Sequence, residues 1–507
     1  MFTNLTSPKR TDESTGRILT PDRENIQGAD LTKRNVPKNP DITDESSSLL
    51  NPDNGKLQLI IEKNARKNIK ALCYGLIIFE VLMVILYGIF NYSTVGEVYD
   101  DTTTDLTIMY FRYTSVLIMI LFGFGFNSIY SADGAISNIG FTLLITTTVS
   151  QLAFLSDNLC SAIYNNSFGV DGSLQFNIYG LESAAYAAMA CVIALTAYGN
   201  SLTPVDMLIV SCILTIGYSV NSQIAMNYFN LVDPGQIYNI HLFAAFFSLS
   251  FSWYASFPKL PYQFKHEVTS ELMYLGTLFL YIFWPNFVSG SHTANSDESQ
   301  RGYVNTYTCI TASTITSFCV AFLIDNATKI RIFDVRNAIV SGGISVGSIA
   351  TLQVSSYIII FIGVVSAFIT ITSNTRIGPY LLRNYSIIDS AGVLGTHGMC
   401  GIFGAIVSVF VAAYKASYDM SDVSIYGSDY ADQWWRQLVA MFVCIGIALL
   451  FGLLAGITYE FVTKTMRIKI ADDDDDDDND QLVPNNAKDN LYWEKLSESA
   501  KKFRYIE

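Results

Sequence analysis

One histidine lies in YNIHLFAAFF (238–247) and another in GVLGTHGMCGIFGAIV (392–407), and both stretches are apolar and helix-length. The chain has only four histidines, and two of them, His241 and His397, stand here. An ionisable side chain at membrane depth is costly and marks a functional site by default. Because small residues flank both histidines, the pair suggests a narrow polar path through a membrane.

The composition is that of a membrane protein. Half of the 507 residues are hydrophobic, only 15% are charged, and the mean hydropathy is +0.31. A soluble domain carries about 25% charged residues, and a bilayer-spanning helix needs about 20 apolar residues. The sequence therefore predicts an all-α polytopic membrane protein and excludes a soluble enzyme. Twelve transmembrane helices are predicted, near 68–90, 107–130, 134–156, 179–198, 204–224, 238–256, 269–289, 303–325, 335–352, 354–373, 392–414 and 434–463.

Loop charge predicts the orientation of the chain in the membrane. Lys and Arg collect on the cytoplasmic side of membrane helices. With the N-terminus inside, four outer loops contain neither Lys nor Arg: 91–106, 157–178, 225–237 and 417–433. An even number of spans then places both termini in the cytoplasm. The expected location is the plasma membrane, with the membrane of an intracellular acidic vesicle as the alternative.

The two ends of the chain have the composition of tails. Residues 1–66 are rich in Ser, Thr, Asn, Asp and Lys, and we expect a disordered cytoplasmic tail. Residues 67–466 form the predicted twelve-helix channel domain. Residues 467–507 include an unbroken run of seven aspartates, Asp472 to Asp478, in a chain with net charge −14. This end is predicted to be a solvated acidic cytoplasmic tail.

Four glycosylation sequons lie in loops between the predicted spans and bear on this orientation. Those at Asn91 and Asn165 fall in predicted outer loops and are the expected sugar sites, whereas Asn326 and Asn384 fall in predicted inner loops. The eight cysteines are spread along the chain without a CxxC pair. This spacing indicates neither a disulfide framework nor a metal site, and we expect no cofactor.

The positions of the two histidines predict an internal repeat. When the first helix is set aside, His241 lies in the fifth of eleven helices and His397 in the tenth. This spacing fits two inverted five-helix halves whose equivalent positions meet near the membrane midplane. Asp233, followed by Pro234, stands eight residues before His241. The aspartate is either a helix N-cap or a negative charge that favours a cation at the outer base of a pore. One carboxylate is able to serve both roles.

These residues resemble the ammonium transporter superfamily, and within it the Rhesus-type branch, over roughly 68–463. The Asp-x7-His motif of the family is present as Asp233 and His241, and its HGxxGxxG motif begins at His397. GTLFLYIFWPNF (276–287) resembles the sixth helix of the Rhesus branch. An extra first helix followed by a sequon points to the same branch.

The resemblance implies a homotrimer in the lipid bilayer, with one pore per subunit and two aromatic rings that close its outer mouth. These gate positions correspond to Tyr186 and Phe287, so the first ring carries an added hydroxyl. Other residues depart from the family pattern at positions that affect the recruitment of the cation and the packing of the helices. They are Ser222, where an acid is common, Ala244 and Ser248, where glycines are usual, and Arg331, near a common inner acid.

Residues and resemblance together imply a channel for ammonium and ammonia, and no enzyme. A full charge at membrane depth costs at least several kcal/mol. Ammonium would therefore lose its proton at the outer mouth, and ammonia would pass an apolar pore lined by the two histidines. Methylammonium is the expected analogue, and no nucleic acid partner is expected. Two alternatives stay open, a carbon dioxide channel and a non-conducting membrane scaffold of the same fold. The residues are compatible with electroneutral and with electrogenic transport.

Overall fold

A computed structural model of the protein describes residues 52–89, 106–127, 135–165, 178–198, 201–255, 267–290, 296–324, 329–418, 423–426 and 431–472. Most of these residues are helical, and no strand occurs among them. The predicted sugar site Asn91 and the inner sequon Asn326 lie outside the described residues. So do most of the two predicted tails.

Twelve long helices run through the described residues. They are α1 (Pro52–Ile89), α2 (106–127), α3 (Ala135–Tyr164), α4 (Ile178–Thr196), α5 (Pro204–Tyr228), α6 (237–255), α7 (Glu267–Ser289), α8 (Asp297–Leu323), α9 (332–349), α10 (Ser356–Tyr385), α11 (Leu394–Tyr418) and α12 (Gln433–Asp472). Ten of them contain a segment long and apolar enough to cross a membrane. The other two, α6 and α9, are shorter as regular α-helix, because α6 begins with a π-helical turn and α9 ends in a 3₁₀ turn. The predicted all-α polytopic class is confirmed.

The first and last helices extend beyond their apolar segments. The first helix begins at Pro52 and the last ends at Asp472, so both reach into stretches that the sequence assigned to the tails. The physical reason is that hydropathy marks only the part of a helix that crosses the bilayer. Polar turns that continue the helix into water carry no such signal.

The two helices that carry the histidines have the same irregular start. A π-helical segment at Gln223–Tyr228 ends α5, and another at Ile237–Leu242 begins α6. In the second half, α10 contains a π segment at Ser373–Ile377, and α11 begins with one at Leu394–Met399. Such segments are rare and occur often at functional sites. Their matching order supports the inverted repeat predicted from the histidine positions.

Small residues hold α9 and α11 close together beside this irregular start. A Cβ built on Gly404 in α11 would lie 2.6 Å from the carbonyl oxygen of Ser345 in α9. A Cβ on Gly343 would lie 2.7 Å from Nε1 of Trp284 in α7. Small residues allow this close approach between membrane helices. The glycines near His397 therefore serve packing, and they fix the position of the helix that carries it.

We expect Gly404→Ala to destabilise the protein by about 1–3 kcal/mol. The added methyl meets backbone of α9, which cannot yield without separating the two helices. Gly446→Ala in α12 is the matched control, because nothing lies within 4 Å of its added Cβ. Alanine there favours the helix by up to about 1 kcal/mol. Thermal unfolding of both variants in detergent tests this, and equal stabilities would contradict it.

Candidate functional site

His241 and His397 meet between the two halves of the repeat. Their Nδ1 atoms lie 3.1 Å apart, and their ring centres lie 5.1 Å apart. The side chain of His241 is completely buried, and His397 is 6% exposed. Among the described residues, Nε2 of His241 has no hydrogen-bond partner. A buried polar atom of this kind is uncommon and points to a ligand or water at that position.

The contact between the two Nδ1 atoms constrains the protonation of the pair. A neutral imidazole carries one N–H and one lone pair. In a hydrogen bond between two neutral rings, one Nδ1 must donate and the other must accept. The donating ring then has a lone pair on Nε2, and the accepting ring has its N–H there. The pair therefore presents one donor and one acceptor to any molecule beside it.

A row of aromatic rings leads from the predicted gate to the histidines. The rings of Tyr186 and Phe287 are in edge-to-face contact, with centres 5.5 Å apart at 71°. Phe287 in turn contacts Trp284 at 6.2 Å, and Trp284 stacks on His241 at 5.6 Å and 19°. Tyr186 is 6% exposed, and Phe287 is completely buried. Both predicted gate rings therefore face the bundle interior, on the Trp284 side of the histidine pair.

Trp284 lies within the quoted motif 276–287, yet sequence reasoning gave it no role. Its ring covers His241, and its Nε1 is buried without a hydrogen-bond partner among the described residues. A tryptophan inside an apolar helix looks like ordinary core in the sequence. Only the packing of α7 against α6 distinguishes it from its neighbours.

A small cavity of about 30 Å³ lies against His397. Phe124, Thr196, Asn337 and Thr396 are among the residues that line it. The hydroxyl of Thr396 is buried there without a hydrogen-bond partner among the described residues. A space of this size holds one or two water-sized molecules. The site therefore continues from His397 into a small chamber lined by both polar and apolar side chains.

Asp233 holds the start of the helix that carries His241. One carboxylate oxygen accepts the backbone N–H of Tyr238 at 2.9 Å, and the other accepts the hydroxyl of Ser348 at 2.6 Å. The side chain is only 3% exposed. Burial raises the pKa of Asp233, although these hydrogen bonds act in the opposite direction. The helix begins at Ile237 with Gln236 as its N-cap, so the prediction of Asp233 as the N-cap residue is wrong. Its buried hydrogen bonds nevertheless favour a structural role over that of an open negative charge.

Asp389 does the same for the second histidine helix, and sequence reasoning missed it. Its carboxylate accepts the backbone N–H groups of Val393 at 2.7 Å and Leu394 at 2.9 Å. It stands eight residues before His397, which is the spacing between Asp233 and His241. A search for a second Asp-x7-His pair in the chain would have found it.

A buried ion pair beside the gate was also missed. Arg112 in α2 pairs with Glu182 in α4, and both contact the hydroxyl of Tyr186. Each charge stands alone in an apolar span, where a window average over hydropathy hides it. Ionisable residues at membrane depth are nevertheless functional candidates by default.

The remaining predicted positions are less central. Asn165 follows the last residue of α3 and is exposed, and Asn384 is an exposed residue of α10. Arg331, at the position where an inner acid was expected, pairs with Asp334 at 2.6 Å. Within the described residues, no group of three His, Cys, Asp or Glu side chains is placed to hold a metal ion.

An all-helical membrane bundle with repeated π-helical starts and a buried histidine pair between them belongs to the channel and transporter class. Its family follows from the sequence model of the Ammonium Transporter Family, which matches residues 75–483. The chain therefore belongs to the ammonium transporter family.

Similar proteins place the chain in the Rhesus branch of that family. It is 25% identical over 459 residues to the ammonium transporter Rh type C of Xenopus laevis, covering 86% of this chain and 93% of that protein. It is 28% identical over 363 residues to the mouse (Mus musculus) ammonium transporter Rh type B, covering 69% of this chain and 78% of the relative.

Solved structures show the same fold. The structure of Nitrosomonas europaea Rh50, from the Rhesus family of channels, has a TM-score of 0.60 at 20% identity. It covers 79% of this chain and 96% of that chain. Mep2 of Candida albicans has a TM-score of 0.54 at 17% identity, covering 69% of this chain and 84% of that chain.

Proposed function

We propose that the protein is an ammonium/ammonia channel in which ammonia crosses the membrane beside His241 and His397. The observation that carries the proposal is the pair itself. Two buried imidazoles lie with their Nδ1 atoms 3.1 Å apart, and Nε2 of His241 has no partner among the described residues. A buried polar atom without a partner costs about 1–3 kcal/mol. Ammonia, which both donates and accepts hydrogen bonds, is able to supply that partner.

The complementary Nε2 atoms favour ammonia over ammonium. Ammonia accepts from the ring that presents an N–H and donates to the ring that presents a lone pair. Ammonium has no lone pair, so it cannot accept from the first ring, and its charge is costly at membrane depth. Transfer of the shared proton between the Nδ1 atoms, with compensating transfers at Nε2, reverses the two roles. The pair is therefore also chemically suited to relay a proton.

In this proposal, Tyr186 and Phe287 form the outer aromatic gate. Their edge-to-face contact supports the role, because it closes the row of rings at the end farthest from His397. Aromatic rings exclude water and hydrated ions, while their faces attract a cation by about 0.5–2 kcal/mol. The gate would hold ammonium until it loses its proton and would then admit ammonia. Asp233 supports the path indirectly, by fixing the start of α6.

We infer that the protein works as a homotrimer with one pore per subunit, as its membership of the family suggests. Both termini would be cytoplasmic, and the plasma membrane is the proposed location. Methylammonium is the proposed analogue of the natural substrate. The proposal assigns the chain no chemical transformation of the substrate and no cofactor.

The proposal is tested by measuring ammonia uptake into vesicles that contain the purified protein. Internal pH and membrane potential are recorded together after an ammonium gradient is imposed. We expect faster internal alkalinisation than in protein-free vesicles. A charge movement that matches the ammonia flux would indicate that the proton follows. Alkalinisation at the rate of protein-free vesicles, without any charge movement, would refute the proposed function.

The proposed orientation predicts which sequons carry sugar. We expect Asn165→Gln to remove a glycosidase-sensitive mass from the protein, because this exposed residue would face the outside. Asn384→Gln is the matched control, since Asn384 is equally exposed but would face the cytoplasm. Gel mobility with and without glycosidase decides the matter. Sugar on Asn384 would show that the proposed orientation is wrong.

A further inference from the structure

Three polar side chains are buried beside the proposed gate. Arg112 pairs with Glu182, and the two side chains are only 13% and 5% exposed. The hydroxyl of Tyr186 donates to Glu182 and accepts from Arg112, at 3.1 Å from Nε and 2.8 Å from Nη2. We call these three residues the gate cluster. An aromatic ring needs no polar partner to exclude water from a pore. The gate cluster therefore has a role besides closing the pore.

The gate cluster connects three parts of the bundle at one point. Arg112 lies in α2, while Glu182 and Tyr186 stand one turn apart in α4. Nη1 of Arg112 donates to the carbonyl of Gly290, just after α7. A Cβ on Gly290 would collide with the Arg112 side chain. The arginine is therefore held in place from two sides, and it fixes the hydroxyl of Tyr186.

The cluster also sets the charge next to the gate ring. The guanidinium carbon of Arg112 lies 6.0 Å from the centre of the Tyr186 ring, within the range of a cation–π contact. A positive charge there opposes the approach of a second cation. The Glu182 carboxylate, on the same hydroxyl, attracts one. Because few water molecules surround either group, their charges are weakly screened and act over several ångströms.

We propose that the Arg112–Glu182 pair determines the affinity of the outer gate for ammonium, and this inference rests on the proposed function. Glu182 draws the cation to the gate. Arg112 offsets that attraction, so that ammonium is held weakly and released as ammonia.

Single charge removals distinguish this role from a structural one. We expect Arg112→Gln to lower the KM for methylammonium about five-fold and Glu182→Gln to raise it about five-fold, each equivalent to about 1 kcal/mol. The double variant should return to a KM near that of the parent. Both shifts should persist in high salt, because salt screens buried charges much less than exposed ones. A purely structural role moves both single variants in the same direction.

The experiment uses radiolabelled methylammonium and vesicles that contain each purified, folded variant. Arg112→Lys keeps the positive charge but loses the fork of hydrogen bonds, so its KM should stay within about two-fold of the parent. Shifts of the same sign, a shift in only one single variant, or an Arg112→Lys variant that behaves like Arg112→Gln would overturn the proposal. If Arg112→Gln does not fold, the double variant Arg112→Lys with Glu182→Gln takes its place. The proposal then requires a KM for methylammonium above that of the parent. An unchanged KM would overturn the proposal.

A His397→Ala sample in the same assay separates this inference from the proposed function. Suppose that uptake depends on His397 but the KM values of the Arg112 and Glu182 variants do not shift. That result refutes only the proposal that the Arg112–Glu182 pair sets the affinity for ammonium. Uptake that does not depend on His397 refutes the histidine pathway itself, whatever the charge variants do.

Discussion

His397→Ala is expected to reduce ammonia flux about tenfold while leaving the protein folded. The imidazole supplies one of the two complementary Nε2 positions, and its Nδ1 fixes the ring of His241 at 3.1 Å. Without it, ammonia loses a hydrogen bond beside His241, and the remaining ring is free to turn. A lost hydrogen bond of about 1–1.5 kcal/mol corresponds to about a tenfold change in rate.

The fold should tolerate this change, because alanine is small enough for the site and the glycines around it keep α11 in place. The matched control is His292→Ala, which removes a histidine outside the described helices. Both variants are compared by detergent unfolding and by ammonia uptake in vesicles. Parental flux in a folded His397→Ala protein would refute the proposed pathway. Carbon dioxide flux in the same vesicles provides a further comparison, since that gas needs no hydrogen-bonding partner.

The sequence predicted the polytopic class because long apolar runs separated by polar loops leave few other solutions. It also predicted the relation between His241 and His397, because an offset of five helices between them places equivalent positions at the same depth. Their contact at 3.1 Å agrees with that geometry. The pairing of Tyr186 with Phe287 came from resemblance alone. Nothing in their spacing along the chain requires that contact.

Two kinds of residue escaped the sequence analysis for different reasons. Trp284 is indistinguishable from core until α7 is packed against α6, so no local pattern could have identified it. Arg112, Glu182 and Asp389 did leave a signal. The first two are charges inside apolar spans, and the third repeats the spacing of the Asp233 motif. Averaging hydropathy over a span hides a single charged residue. A comparison of the two halves of the repeat, in contrast, reveals an aspartate that recurs at the same spacing from a histidine.

Asp389→Ala is expected to destabilise the protein by about 1–3 kcal/mol and to lower ammonia flux as well. The carboxylate accepts two backbone N–H groups, from Val393 and Leu394, which are themselves buried. An N–H left buried without an acceptor costs about 1–3 kcal/mol. The start of α11 would loosen, and His397 stands one turn beyond it.

Asp389→Asn distinguishes two roles of this side chain, the acceptance of backbone hydrogen bonds and the negative charge. The amide keeps one acceptor oxygen, so we expect it to retain about half of the stability that alanine loses, with flux to match. If Asp389 instead acted as a charge in the permeation path, asparagine would keep the stability and lose the flux as completely as alanine does. Unfolding temperature and ammonia uptake, measured on the same preparations, decide between the two. Since Asp233 occupies the equivalent position in the first half, Asp233→Ala should reproduce the stability loss at α6. A stability effect at Asp233 but not at Asp389 would show that the two halves are not held in the same way.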